Sequence, residues 1–260
     1  MPSPWSFTFE PLFAALGALA LWLYLRAPAG RSSRTRTTLF ATGVLMIVLA
    51  LNSPLETIAV EYLVLFHLLQ NVIISDWAPP LLILGLTPSM RAAVAARGGA
   101  AFAWLTRPMA AFPIWLVGWY VVHLGAVYDI AVRHAALLNL EHAFMIAIGL
   151  LFWWPVLADA PRSAATLARI AYVFAAFVFS AFLGLALTFA PPVYGYYETR
   201  PERLWGISAA KDQNFGGILM SAEQAIVFFA AITWLLVRLF REEDEAEQAL
   251  RARQRAQGLL

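Results

Sequence analysis

The chain of 260 residues is 61% hydrophobic and only 13% charged, an apolar content that a soluble domain of this size could not hide from water. Its net charge of +2 gives no reason to expect a nucleic-acid partner, because the basic residues are spread over separate segments. Cysteine is absent, which excludes disulfides, thiolate metal sites and thiol nucleophiles. His, Met, carboxylate and amide side chains remain as possible ligands.

Seven long apolar stretches predict an all-α fold, a polytopic bundle of seven transmembrane helices, since a helix needs about 20 apolar residues to cross a bilayer. The predicted helices cover residues 7–25, 38–52, 62–86, 110–127, 136–156, 165–189 and 217–240. The first stretch has no basic residue before it and no small-residue cleavage site, so we interpret it as a retained span. One transmembrane domain is therefore expected at residues 1–240, followed by a charged cytoplasmic tail at 241–260.

Basic residues divide the predicted loops into two groups. Fourteen of the 18 Lys and Arg residues follow predicted helices one, three and five or belong to the tail, and the first of these loops contains Arg26, Arg31, Arg34 and Arg36. The positive-inside rule makes these segments cytoplasmic and places the N-terminus outside. On the outer side, the loop at residues 191–214 contains three tyrosines and a tryptophan, which favour a folded cap over the helix ends.

Three histidines are predicted to reach a similar depth on three consecutive helices, because alternate helices run in opposite directions. An imidazole that faces lipid finds no partner, so such residues normally face the bundle interior, where they bind metal, hold a cofactor or move protons. Taken alone, His67 is better explained by hydrogen-bonded helix packing than by a role as ligand, and His134 is expected to be solvated in a loop. The coincidence of three favours a shared site whose predicted metal ligands are His67, His123 and His142.

Several neighbours are candidates for supporting this site. Asn71 lies one turn below His67, Asp129 follows His123, and Glu141 and Met145 flank His142 along one helix. Carboxylates such as Glu141 or Asp129 can fix the tautomer of a ligating imidazole. A methionine is a soft ligand for cuprous copper, although methionines in apolar helices are usually packing residues.

Asp76 is predicted near the middle of helix three, where an ionised carboxylate costs about 3 kcal/mol on insertion scales. It lies nine residues from His67, about 14 Å lower and on the opposite helix face, so the two are not expected to share a site. Two interpretations stay open: a proton or ion relay, and a protonated or hydrogen-bonded packing residue beside Pro79 and Pro80. Glu223, in the first turns of predicted helix seven, is expected to snorkel or to act at the helix start.

The motifs of several enzyme classes are missing from the sequence. It contains no phosphate-binding glycine loop, dinucleotide fingerprint, H-E-x-x-H or G-x-S-x-G motif. Hydrolytic and nucleotide-driven chemistry therefore has no support, and the chain is not expected to be an enzyme. Lys211 is the only lysine and lies in the outer loop, which excludes a retinal Schiff base in helix seven.

Three segments, residues 51–86, 123–157 and 209–220, resemble the signature regions of the CtaG-type cytochrome c oxidase assembly factors. They contain SPL, APPLL, a His followed by Tyr-Asp, Leu-Glu-His and FWWPV in that order. The resemblance implies a seven-helix bacterial plasma-membrane protein associated with copper delivery to, or maturation of, a haem-copper oxidase. His67, His123 and His142 match family histidines, and the matching polar positions are Asp129, Glu141, Asp212 and Gln213.

The sequence also departs from the family pattern. Asn71 and Leu138 stand where the family usually has histidines, and Asp76 stands where it is generally apolar. Losing two imidazoles weakens a metal centre or changes its nuclearity. The departures therefore imply a divergent member whose metal binding is weak, altered or absent.

Three hypotheses about function follow. The first is a non-catalytic assembly factor in the bacterial plasma membrane that holds copper transiently in an outward-facing pocket, with oxidase subunits or a copper chaperone as partners. The second is a permease for copper or another small solute that uses Asp76, since transporters favour broken helices at mid-depth. The third is a redox protein or haem carrier in which two histidines ligate iron.

Overall fold

The computed structural model describes residues 1–27 and 33–257. Within these ranges the chain is helical and has no β-strand, as predicted. Arg31 of the first predicted cytoplasmic loop and the last three residues of the predicted tail lie outside the described residues.

The helices of the described residues range from one turn to 48 residues in length. In the first half of the chain they are α1 Pro11–Arg26, α2 Arg34–Leu51, α3 Pro54–Glu61, α4 Val64–Val72, α5 Ala78–Gly85, α6 Pro88–Leu105 and α7 Pro108–Val122. In the second half they are α8 Gly125–Val132, α9 Ala135–Leu157, α10 Thr166–Phe189, α11 Gly195–Glu198 and α12 Ala209–Ala256. A π-helical turn, Ile73–Trp77, joins α4 to α5, and a 3-10 turn, Leu204–Gly206, precedes α12.

Five helical segments among the described residues are long and apolar enough to cross a membrane. They are Arg34–Leu51, Val64–Gly85, Ala135–Leu157, Thr166–Phe189 and Ala209–Ala256. A sixth is obtained if α6 and α7 count as one span, although they are bent by 74°. These segments make the chain a membrane protein with five or six candidate spans, and the count of seven stays a prediction.

The predicted count of seven spans differs from the observed five or six because of predicted helices one and four. α1 has 16 residues and α7 has 15, fewer than the about 20 that a perpendicular span requires. Pro108 starts α7 at a position where proline is well tolerated, and the helix ends at Val122 with His123 as its C-cap. The predicted extension of helix four to residue 127 is therefore wrong, because a separate helix, α8, starts at Gly125.

The α4–α5 span contains a π-helical turn, and this turn packs against α9. A Cβ atom added at Gly149 of α9 would lie 2.3 Å from the Ser75 carbonyl oxygen, closer than any Cβ contact allows. Glycine therefore permits the two backbones to approach, as small residues do between membrane helices. The Ser75 hydroxyl donates to the Asn71 carbonyl oxygen at 2.6 Å, so it satisfies a backbone group beside the π-helical turn.

α12 is far longer than the predicted helix seven, because polar sequence extends it at both ends. Its N-terminus is capped by the Ser208 hydroxyl, which accepts from the Lys211 N–H at 3.3 Å. Past the apolar part, Arg238 pairs with Glu242 at 2.7 Å, and Glu247 pairs with Arg251, both at the i, i+4 spacing that stabilises solvated helices. The predicted tail at 241–260 is thus, in its described part, a continuation of α12.

Candidate functional site

Asp212 fixes the start of α4, the helix that carries His67. Its two carboxylate oxygens accept hydrogen bonds from the backbone N–H groups of Val64 and Leu65, both at 2.9 Å. The first N–H groups of a helix have no partner within the helix, so a carboxylate at this place acts as an N-cap supplied by another segment. Arg203 lies 3.9 Å from the same carboxylate. Asp212 therefore ties α12 to α4 and sets the position of His67 one turn below.

Three buried side chains form the candidate site: His67 on α4, and Glu141 and His142 on α9. One ligand atom from each can be chosen so that all lie within 4.8 Å of one another. His67 Nε2 lies 3.2 Å from Glu141 Oε2, and His142 Nε2 lies 4.0 Å from the same oxygen. Asn71 donates to Glu141 Oε1 at 3.0 Å. The site is thus two imidazoles around one carboxylate that an amide holds in place.

The two imidazoles have unused hydrogen-bonding capacity. Neither His67 Nδ1 nor either nitrogen of His142 has a hydrogen-bond partner, and both residues are fully buried. Unpaired buried polar atoms are rare in proteins and require an explanation. If neutral His67 donates its Nε2–H to Glu141, the lone pair of its Nδ1 is free. The donor set of imidazole nitrogens and one carboxylate oxygen fits a divalent or cuprous transition-metal ion.

His123, the third predicted ligand, does not belong to this group of atoms. α7 ends just before it, and its Nδ1 pairs with the Trp119 carbonyl oxygen of its own helix at 2.6 Å. Its ring also lies against the Trp119 indole, with centroids 4.8 Å apart. His123 Nε2 is buried and has no partner. The structure therefore brings together two of the three predicted histidines and places Glu141, predicted only as a supporting residue, between them.

The other predicted supporting residues have different surroundings. Met145 is fully buried one turn after His142 on α9. Asp129 accepts from the backbone N–H of Tyr196 through both oxygens at 3.1 Å, so it anchors the outer loop. Partial burial raises the pKa of Asp129, although Arg133 and a backbone hydrogen bond from Gly195 act in the opposite direction. Asp129 and Asp212 thus fix the chain around the site.

A group of tyrosines that was not predicted as part of the site covers it. The Tyr128 ring meets the His67 ring edge to face, with centroids 4.6 Å apart, and its hydroxyl pairs with that of Tyr197 at 2.8 Å. Tyr197 also donates to the Ala59 carbonyl oxygen. Tyr194 packs on Tyr128 and donates to the His123 carbonyl oxygen at 3.2 Å. The aromatic outer loop and the Tyr-Asp pair were visible in the sequence, but their meeting over His67 was not.

An acidic cavity lies beside the site. Its volume is about 270 Å³, and its lining includes Glu10, Glu56 and Glu61 as well as Leu138, one turn before Glu141 and His142. Glu56 is buried, and its Oε2 accepts from Gln70 at 2.5 Å. Burial raises the pKa of Glu56 to about 7, opposed by the Gln70 hydrogen bond and by the nearby His67. Three carboxyl groups around a cavity attract cations toward its walls.

Comparison with known proteins gives one family and several distant relatives. The family model described as cytochrome c oxidase caa3 assembly factor matches residues 17–242. An uncharacterized protein of Mycobacterium leprae is 25% identical over 270 residues, which cover 91% of this chain and 40% of that protein. Uncharacterized proteins of Mycobacterium bovis and Mycobacterium tuberculosis are each 28% identical over 175 residues, covering 58% of this chain and 26% of theirs. The chain thus spans less than half the length of these relatives. No solved structure matches it.

Proposed function

Because the chain belongs to the cytochrome c oxidase caa3 assembly factor family, we propose that it assists oxidase maturation by holding copper as its cargo. The observation that carries this proposal is the buried group of His67, Glu141 and His142, whose ligand atoms lie within 4.8 Å and whose imidazoles have unpaired nitrogens. The role is one of binding and transfer, without catalysis.

The donor set suits transient copper binding. Imidazole binds both oxidation states of copper, and a carboxylate adds a negative charge that attracts the cation. Asn71 orients Glu141 by its hydrogen bond, so the amide that replaces a family histidine acts here as a positioning residue. A site with three ligands leaves a position open for a donor from the recipient protein. His123 Nε2 and the buried Met145 are candidates for completing the ligand set.

The location of the site follows from the proposed topology. With α1, α2, α4–α5, α7, α9, α10 and α12 as seven spans, the basic residues place the N-terminus outside and the C-terminus in the cytoplasm. The buried site then lies toward the outer side of the bacterial plasma membrane, beside the acidic cavity lined by Glu10, Glu56 and Glu61, which would receive cations. An oxidase subunit or a copper chaperone would exchange copper there.

The test is metal analysis of the protein purified in mild detergent after loading with cuprous copper. We expect wild type to retain copper and the variants His67→Ala and His142→Ala to lose most of it. His134→Ala is the matched control, because His134 is exposed between α8 and α9 and pairs with the Ile130 carbonyl oxygen of α8. Equal copper in all four proteins would overturn the proposal.

The physiological part is tested in membranes of a deletion strain. We expect lower oxidase activity and less oxidase-bound copper than in the parent strain, with recovery by wild type and His134→Ala but not by His67→Ala. Unchanged oxidase activity in the deletion strain would contradict a role in maturation.

A further inference from the structure

Asp76 is a buried carboxyl group that the candidate copper site does not use. It lies in the π-helical turn near the middle of the Val64–Gly85 span and is fully buried. Neither of its oxygens has a hydrogen-bond partner. Charged residues are costly at this depth and normally have a partner, and π-helical turns occur frequently at functional sites. Asp76 therefore requires a neighbour that can compensate its charge, or a proton.

α12 supplies two further polar side chains at this place. Glu223 is 6% exposed and Gln224 is 1% exposed, so the expectation that Glu223 snorkels is wrong. Glu223 Oε1 accepts from the indole N–H of Trp77, while its Oε2 has no partner. The Gln224 amide adjoins the Asp76 carboxyl group, yet neither amide atom makes an aligned hydrogen bond. Asp76 and Glu223 interact electrostatically.

The surrounding helices offer no cation to neutralise this pair among the described residues that pack on the turn. The buried positions of α2 and α5 are apolar. The buried titratable groups of α9 and α4 are Glu141, His142 and His67, which act on one another at the candidate copper site. Glu223 is the titratable group of α12 that acts on Asp76. Two carboxylates would therefore face each other without compensation.

One added proton lets the unpaired polar atoms of Asp76, Glu223 and Gln224 form hydrogen bonds with one another. A protonated carboxyl group donates one hydrogen bond and keeps acceptor capacity, while a primary amide offers two donors and one acceptor. One proton on either carboxyl group removes the repulsion between two like charges in a medium of low dielectric constant. It also provides a donor for the amide oxygen of Gln224, whose N–H groups can then donate to the other carboxylate.

We propose that Asp76, Glu223 and Gln224 form a proton-binding site inside the membrane, in which the two carboxyl groups hold at least one proton between them. The site is separate from the candidate copper site and does not depend on copper binding. It gives the α4–α5 span a group that can take up and release a proton at mid-depth, as proton-transferring membrane proteins require.

Infrared difference spectroscopy of the full chain in lipid nanodiscs tests this site. In a Glu56→Gln background, which removes the other buried carboxyl group with a pKa of about 7, we expect at neutral pH the carbonyl stretching band of a protonated carboxylic acid, with a shift in heavy water. Asp76→Asn and Glu223→Gln should each weaken or displace the band, and the double variant should lose it. Glu247→Gln, which removes an exposed carboxylate of α12, should leave it unchanged. Absence of the band in the Glu56→Gln background, or its persistence in the double variant, would overturn the proposal.

A second measurement on wild type covers the case in which the variants fail to fold. Dicyclohexylcarbodiimide reacts with protonated carboxyl groups in apolar surroundings. The carboxyl O–H adds across one C=N bond to give an O-acylisourea, and migration of the acyl group from oxygen to nitrogen then gives a stable N-acylurea. Mass spectrometry should locate the adduct at Asp76 or Glu223. Labelling at neither residue would contradict the proposal. Since neither measurement uses copper, a negative result here leaves the copper proposal intact, and loss of copper binding leaves this proposal intact.

Discussion

Glu141 holds the candidate site together at the scale of single residues. It contacts His67 through one oxygen and Asn71 through the other, and His142 follows it directly on α9. A carboxylate in this position both orients the imidazoles and attracts the cation.

We therefore predict that Glu141→Gln weakens copper binding by about 10- to 100-fold, the usual effect of losing a residue that orients metal ligands. Titration of the purified protein with a competing cuprous chelator would measure it. Glu198→Gln on the outer face is the control, because Glu198 is exposed. Equal affinity of Glu141→Gln and wild type would mean that the carboxylate takes no part in binding.

Glu56 gives a prediction about pH dependence. Its pKa rises from 4.5 to about 7 on burial, so between these values the folded protein binds more protons than the unfolded chain. Stability contributed by this group is therefore lost as pH rises through about 4.5 to 7. We expect the thermal midpoint of wild type to fall over this interval and that of Glu56→Gln to fall less. If the thermal midpoints of the two proteins change in parallel with pH, Glu56 is not the group responsible.

At the scale of elements, the start of α4 depends on a carboxylate from α12. Removing an N-cap costs about 1 kcal/mol, and asparagine caps nearly as well as aspartate. We predict that Asp212→Ala lowers the thermal stability of the purified protein clearly, whereas Asp212→Asn lowers it less. Both should be measured in the same detergent. If alanine and asparagine have equal effects, the two hydrogen bonds to Val64 and Leu65 do not stabilise the helix.

The contact of α9 with the π-helical turn depends on Gly149. Alanine normally stabilises a helix relative to glycine by about 0.5–1 kcal/mol. At this position its Cβ would meet the backbone oxygen of Ser75, so we predict that Gly149→Ala destabilises the protein by about 1–3 kcal/mol, as overpacked cores do. Ala147→Gly, on the exposed face of the same helix, is the control, because it measures only the difference in helix propensity between alanine and glycine. A stabilised Gly149→Ala variant would show that the helices can separate there.

At the scale of the whole molecule, the absence of cysteine permits a direct test of the proposed orientation. We predict that Glu202→Cys, in the outer loop, reacts with a membrane-impermeant maleimide in intact cells. Glu245→Cys, in the exposed end of α12, should react only after the membrane is permeabilised. The cysteine-free wild type serves as the blank. Labelling of Glu245→Cys in intact cells would contradict the proposed orientation and place the C-terminus outside.

The sequence by itself determined the helical architecture, because hydropathy and proline or polar helix ends are local properties. The predicted helices at 136–156 and 165–189 agree within one residue at each end with Ala135–Leu157 and Thr166–Phe189. The family was also predicted from its motifs, and the match over residues 17–242 confirms it. Local patterns predicted His67 and His142 at a similar depth on helices three and five.

Only the tertiary structure decided which side chains meet. It put Glu141 between the two imidazoles, turned His123 toward Trp119, and brought Glu223 to Asp76 although 147 residues separate them. These outcomes depend on how far each helix is rotated and shifted along its axis, and close packing such as that of Gly149 on Ser75 sets both. Periodicity along one helix contains no information about the rotation of its neighbour.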